Sequence, residues 1–161
     1  MRIEDAILKL LIGAIAGIAT YVSIIERKKN KKIYRLEEKQ EKFDQFYEIL
    51  IAWLHVIHDK GGIKEYFERN EYKTVAIYGM KELGECLYDE LKAANIDVKY
   101  VIDKNTQLFY DDVKIITPSE KIEKVDVIIV TAVYYYEEIK KQLKENVNCP
   151  IVSLYDVVYG G

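Results

Sequence analysis

A chain of 161 residues, half of them apolar and carrying a formal net charge of −3, has room for one compact domain and an accessory segment, which excludes a cofactor domain joined to a separate catalytic domain. The acidic balance argues against nucleic acid as a general partner. Cys86 and Cys149 are too few and too far apart for a disulfide framework or a zinc set, and two free thiols suit a reducing compartment.

From Ala6 to Ile25 the sequence reads AILKLLIGAIAGIATYVSII, interrupted by the single charge of Lys9. That is enough helix to cross a hydrocarbon core of ~30 Å, so residues 1–25 are expected to be a transmembrane anchor. The alternatives are a cleaved signal peptide and a buried core helix. The mixed charge of the start, MRIED, and the abrupt end in ERKKNKK disfavour the signal peptide. Arg27, Lys28, Lys29, Lys31, Lys32 and Arg35 follow the span, whereas Arg2 and Lys9 before it are offset by Glu4 and Asp5. The bias of basic residues toward the cytoplasmic side predicts a single-pass protein of the cell membrane with its C-terminal domain in the cytoplasm. Gly13 and Gly17 form a GxxxG, joined by the small pair Ala16 and Thr20, a pattern that lets two helix backbones approach and that suits a homodimer.

Residues 26–71 are expected to hold the basic stretch, an amphipathic helix and a short capping helix. Leu36, Phe43, Leu50 and Ile57 recur every seven residues, with Tyr47 and Leu54 four places after two of them, and Phe46 and Trp53 widen the stripe. The helix either packs on the following domain or pairs with an identical helix, burying Phe43, Leu50, Leu54 and Ile57; Gly61 and Gly62 end it. His55, His58 and Asp59 lack a nearby third ligand of the kind zinc needs, so no metal site is expected. Ile63, Tyr66 and Phe67 then repeat at helical spacing in the short capping helix.

Residues 72–161 read as an α/β domain. Lys73–Tyr78, KTVAIY, is a strand ending at Gly79, and Leu83, Cys86, Leu87 and Leu91 recur at helical spacing from Glu82 onward, with Cys86 expected as a small core residue. Strand, glycine turn and helix make the order of a phosphate site: Gly79 turns the chain, Gly84 lets helix and strand approach, and the exposed N–H groups attract an anion. In Gly79-Met80-Lys81-Glu82-Leu83-Gly84 the middle glycine of the dinucleotide fingerprint is replaced by Lys81, which either meets a phosphate or obstructs a pyrophosphate. Glycines kept for turn and packing alone are the plainer alternative.

Val98–Ile102 is a second strand whose end carries Asp103, placed as an acceptor for ribose hydroxyls or else as a solvated loop aspartate. Val113–Ile116 is a third strand, Pro118-Ser119-Glu120 a turn or helix start, Val125–Thr131 a strand buried on both faces, Glu137–Lys144 a helix and Ile151–Leu154 a fifth strand. Right-handed crossovers give a doubly wound parallel sheet of order 3-2-1-4-5, with a crevice where Thr131 and Ala132 approach the glycine turn. Gly79, Met80, Lys81, Gly84, Asp103, Thr131 and Ala132 are the candidate cofactor-binding residues. Val133, Tyr134 and Tyr135 lie just beyond them, where the tyrosines either stack on a ligand or pack.

The stretches EYKTVAIYGMKELGECLYDELKAANIDVKYVIDKN, VDVIIVTAVYYYEEI and CPIVSLYDVV resemble Rossmann-like domains associated with bacterial surface-polysaccharide biosynthesis, namely the sugar-nucleotide-binding amino-terminal domains of sugar acyltransferases and the NAD-binding domains of nucleotide-sugar dehydratases. The resemblance implies a nucleotide-type ligand, NAD or a nucleotide-sugar, and supplies no catalytic residue. The YxxxK pairs Tyr136/Lys140 and Tyr88/Lys92 lack the serine partner that such reductases need, and no nucleophile triad suggests itself. The sequence therefore predicts a membrane-anchored accessory or sensor module for a nucleotide or nucleotide-sugar. The alternatives are a scaffold that dimerises through its helices and an NAD-dependent enzyme component completed by another chain.

Overall fold

The computed structural model describes residues 3–60, 62–105 and 112–160; Arg2 and Gly61, used above, lie outside them. The chain divides into two compact units, Met1–Asp44 and Gln45–Gly161.

The first unit is drawn from helix α1, Ile3–Lys60, one uninterrupted element where separate membrane and amphipathic helices were expected. No glycine or proline stands between Thr20 and Lys60 to break it, and the basic run supplies good helix formers. Its apolar stretch is long and apolar enough to cross a membrane by length and composition, and none of it is buried against the rest of the chain. Ile7, Leu8, Leu11, Ile15, Ile18 and Val22 are exposed, and a Cβ on Gly13 or Gly17 would meet nothing within 4 Å. The Thr20 hydroxyl donates to the Gly17 carbonyl at 2.8 Å, which satisfies its one polar hydrogen inside the helix.

The second unit is a five-stranded, all-parallel sheet in the order β3-β2-β1-β4-β5, built from β1 (Thr74–Tyr78), β2 (Asp97–Ile102), β3 (Lys114–Ile116), β4 (Val127–Val130) and β5 (Ile151–Ser153). The expected order is thus observed. Helices cover both faces: α2 (Lys64–Arg69), α3 (Glu82–Ala93), α4 (Tyr136–Leu143) and α5 (Leu154–Tyr159). Alternation along the strands sends Val75, Ile77, Val101, Val127 and Ile129 to one core, shared with α2, α3, α5 and the end of α1. Ala76, Tyr78, Tyr100, Ile102, Ile128 and Val130 go to a second core under α4. Every residue of β4 is buried, as a central parallel strand requires.

Three expectations need correction. Four strands are shorter than read, Lys73, Val113, Val125, Asp126 and Thr131 flanking β1, β3 and β4 and Leu154 opening α5 instead of closing β5, whereas β2 begins one residue earlier, at Asp97. Ser153 caps that helix by accepting the Tyr155 N–H at 3.2 Å.

The face that α1 packs on its own domain is Ile49, Trp53 and Val56, with Phe46 and Leu50 alongside; Phe43, Leu54 and Ile57 are exposed. Trp53, a large aromatic buried to 3 % exposure, anchors this face, and its indole N–H finds Glu90 as acceptor. The other oxygen of Glu90 accepts the Ile63 N–H at 2.7 Å, so one carboxylate ties the end of α1 and the start of α2 to α3.

Cys86 is exposed, not a core residue. Helix α3 approaches the sheet through Gly84, where an added Cβ would lie 2.1 Å from the Gly79 carbonyl oxygen, and this turns Leu83, Leu87, Tyr88 and Leu91 inward and Cys86 out.

Candidate functional site

The carboxyl ends of β1, β2 and β4 bring the seven candidate residues into one neighbourhood. Gly79 follows β1 with φ +94°, a conformation that side-chain-bearing residues rarely adopt, and a Cβ there would lie 2.8 Å from the Thr131 hydroxyl. The Thr131 hydroxyl donates toward the Gly79 carbonyl at 2.8 Å and the Tyr78 carbonyl at 3.1 Å, which ties the end of β4 to the glycine turn. Ala132 lies beside it, half-buried. The parallel ladder also continues past the strands: the Gly79 N–H donates to the Ile102 carbonyl, the Thr131 N–H to the Tyr78 carbonyl and the Asp103 N–H to the Ile116 carbonyl.

Asp103 is held firmly. One carboxylate oxygen accepts the Met80 N–H and the other the Asn105 N–H, each at 2.8 Å. An ionised carboxylate has about four lone-pair directions, so two remain to accept hydroxyls from a ligand. Met80, in contrast, turns its side chain into the core and has its N–H engaged, so it contributes geometry and no ligand contact of its own.

Lys81 stands at the amino-terminal cap of α3 in extended backbone, exposed, and its side chain makes no capping hydrogen bond. The first N–H groups of a helix have no intrahelical partners, and together they carry the positive end of its dipole. Glu82 and Glu85 in the first turn, with Asp103 nearby in the fold, oppose a bare anion. Lys81 offsets one of these charges.

Tyr78, absent from the seven, is the last residue of β1. Burial raises its pKa, and the carboxylates of Asp103 and Glu138 add to the shift, so it stays a neutral hydroxyl at this edge. Its position directly before Gly79, on the α4 side by strand alternation, is the signal by which the sequence marks it. Tyr134 and Tyr135 stack edge to face with ring centroids 5.2 Å apart, a contact made with each other.

Both YxxxK pairs lie close in space, Lys140 Nζ 4.9 Å from the centroid of the Tyr136 ring and Lys92 Nζ 5.8 Å from that of Tyr88. The Tyr136 hydroxyl donates to the Ile151 carbonyl at 2.9 Å, and Lys92 forms an ion pair with Asp112. No group of three or more histidine, cysteine or acidic residues able to hold a metal ion occurs among the described residues.

The chain matches no curated protein and no solved structure. A family model described as C2185-like, N-terminal, matches residues 71–151, which run from just before β1 into β5 and include all seven candidate residues. The chain belongs to the C2185-like family, matched through that family's N-terminal region.

Proposed function

We propose that the second unit is a Rossmann-like module for a nucleotide or nucleotide-sugar, carried on the cytoplasmic side of a membrane by the apolar segment of α1 and serving as an accessory or sensor in cell-surface polysaccharide synthesis. The observation that carries this reading is the coincidence, at the edge where β1 and β4 adjoin, of the Gly79 turn, a twelve-residue helix whose cap residue Lys81 makes no side-chain capping bond, and a carboxylate fixed by two backbone N–H groups. Ligands of open α/β sheets bind where strand order reverses, at the carboxyl ends. Asp103 takes the ribose hydroxyls, Lys81 and the first turn of α3 take phosphate, and Thr131 holds the turn. The exposed apolar stretch of α1 supports the membrane anchor, since a helix apolar on all sides is stable only inside a core or a bilayer, and none of this stretch is buried in the chain.

The test is binding by the full chain in detergent or nanodiscs, with NAD, UDP-sugars and ATP compared by thermal shift. One class should stabilise the protein, and Lys81→Ala should weaken that binding in a salt-dependent manner. Absence of a shift with every class would reject the ligand reading in favour of a scaffold.

A further inference from the structure

We propose that α1 pairs with α1 of a second copy of this chain in a parallel, in-register coiled coil; this stands independently of any ligand. If Leu36, Phe43, Leu50 and Ile57 occupy one core position of a heptad, then Ile33, Gln40, Tyr47 and Leu54 occupy the other, and the spacing alternates regularly between three and four. In the first unit Ile33, Leu36 and Phe43 are 41, 55 and 65 % exposed; in the second, Tyr47, Leu54 and Ile57 are 57, 61 and 48 % exposed. Of the residues that α1 packs on its own domain, Ile49, Trp53, Val56 and the half-buried Phe46 fall at other heptad positions, and Leu50, half-buried on the same core, stands where the two faces meet. The helix thus carries two apolar faces, and the chain covers one.

The charges beside the seam select the occupant. Lys32 and Lys39 flank it on one side, Glu37 and Asp44 on the other. In a parallel pair each flanking residue on the first side meets the residue five places later on the second helix, so Lys32 meets Glu37 and Lys39 meets Asp44 of the second copy. An antiparallel pair spanning the same seam sets Lys32 and Lys39 against Phe46 and Trp53 and forms neither ion pair. Gln40, the one polar residue among these core positions, penalises slipped registers that place it against an apolar neighbour. In the second unit a groove of about 520 Å³ is lined by the seam residues Leu50, Leu54 and Ile57 together with Trp53, Cys86 and Glu90 among others. It receives the flanking Ile51 and His58 of the second copy.

The experiment places single cysteines in the full chain, in membranes, on a Cys86→Ser, Cys149→Ser background. Phe43→Cys and Leu54→Cys should each give a same-residue disulfide dimer in high yield, and Glu48→Cys, off the seam, should not. Sedimentation of the detergent-solubilised chain with its native cysteines supplies the second readout. Lys39→Glu should lower the dimer fraction several-fold, and adding Asp44→Lys should restore it. Equal cross-linking at Glu48→Cys, no cross-link at the seam, a monomeric native chain, or a charge reversal that changes nothing would each overturn the proposal.

Discussion

Replacing Asp103 with alanine removes the acceptor of two backbone N–H groups, and the two losses differ in cost. The Asn105 N–H is at an exposed residue and regains water. The Met80 N–H belongs to a residue that is 1 % exposed and donates to Asp103, so its loss costs about 1–3 kcal/mol. For a domain of this size that corresponds to a fall in melting temperature of roughly 4–12 °C. Asp103→Asn keeps a carbonyl oxygen at the same place and should cost less than about 1 kcal/mol, while it removes the negative charge that accepts ligand hydroxyls. The single tryptophan, Trp53, is 3 % exposed within the same unit, so its fluorescence reports the melting of that unit in the full chain without interference from the rest of α1. Melting of Asp103→Ala within a degree of the unmodified protein, or equal damage by asparagine and alanine, would refute the reasoning that Asp103 braces the glycine turn.

Gly84→Ala should destabilise the same unit by about 2–4 kcal/mol, because its Cβ would press on a backbone oxygen, whereas Gly13→Ala should leave the Trp53 melt unchanged. Glu90→Ala should cost about 2–4 kcal/mol and shift Trp53 emission to the red, since it strips a partner from both the indole and the Ile63 N–H; unchanged emission would count against that staple. Asp126 accepts the N–H groups of Thr74 and Lys73, and these bonds hold its pKa below the ordinary carboxylate value. Its contribution is therefore present above the ordinary carboxylate pKa and lost as pH falls through the lowered folded value, and Asp126→Asn should flatten stability between neutral pH and that range. Parallel acid-stability profiles for the two proteins would contradict this.

The sheet was legible because its signals are local: Gly79 and Gly84 stand at a strand end and in the first turn of a helix, and VIIV is apolar throughout. The strand order followed from chain connectivity. What the sequence left ambiguous is which of two overlapping apolar stripes α1 turns to its own domain. Both obey helical spacing, and the choice depends on Glu90, thirty-seven residues beyond Trp53. The exposure of Cys86 likewise depends on how closely Gly84 lets α3 approach, a distance no periodicity contains. Helix α5 was hidden because IVSLYDVV alternates well enough for a strand, and Ser153 reads as a cap only once β5 is known to end there. Gly79, Asp103 and Thr131 stand just past strand ends as read, but the sequence did not show that Met80 turns inward or that Asp103 braces the turn.

The most direct test of the ligand site is calorimetric titration of the full chain and of its Asp103→Asn variant with UDP-sugar and with NAD. The account predicts that one of these ligands binds the unmodified chain at a single site, and that Asp103→Asn weakens this binding about tenfold or more while its Trp53 melt stays within a few degrees. Equal affinity of the two proteins for a ligand that does bind would contradict the assignment of Asp103 and the crevice, and no heat with either ligand would contradict the nucleotide-binding reading itself.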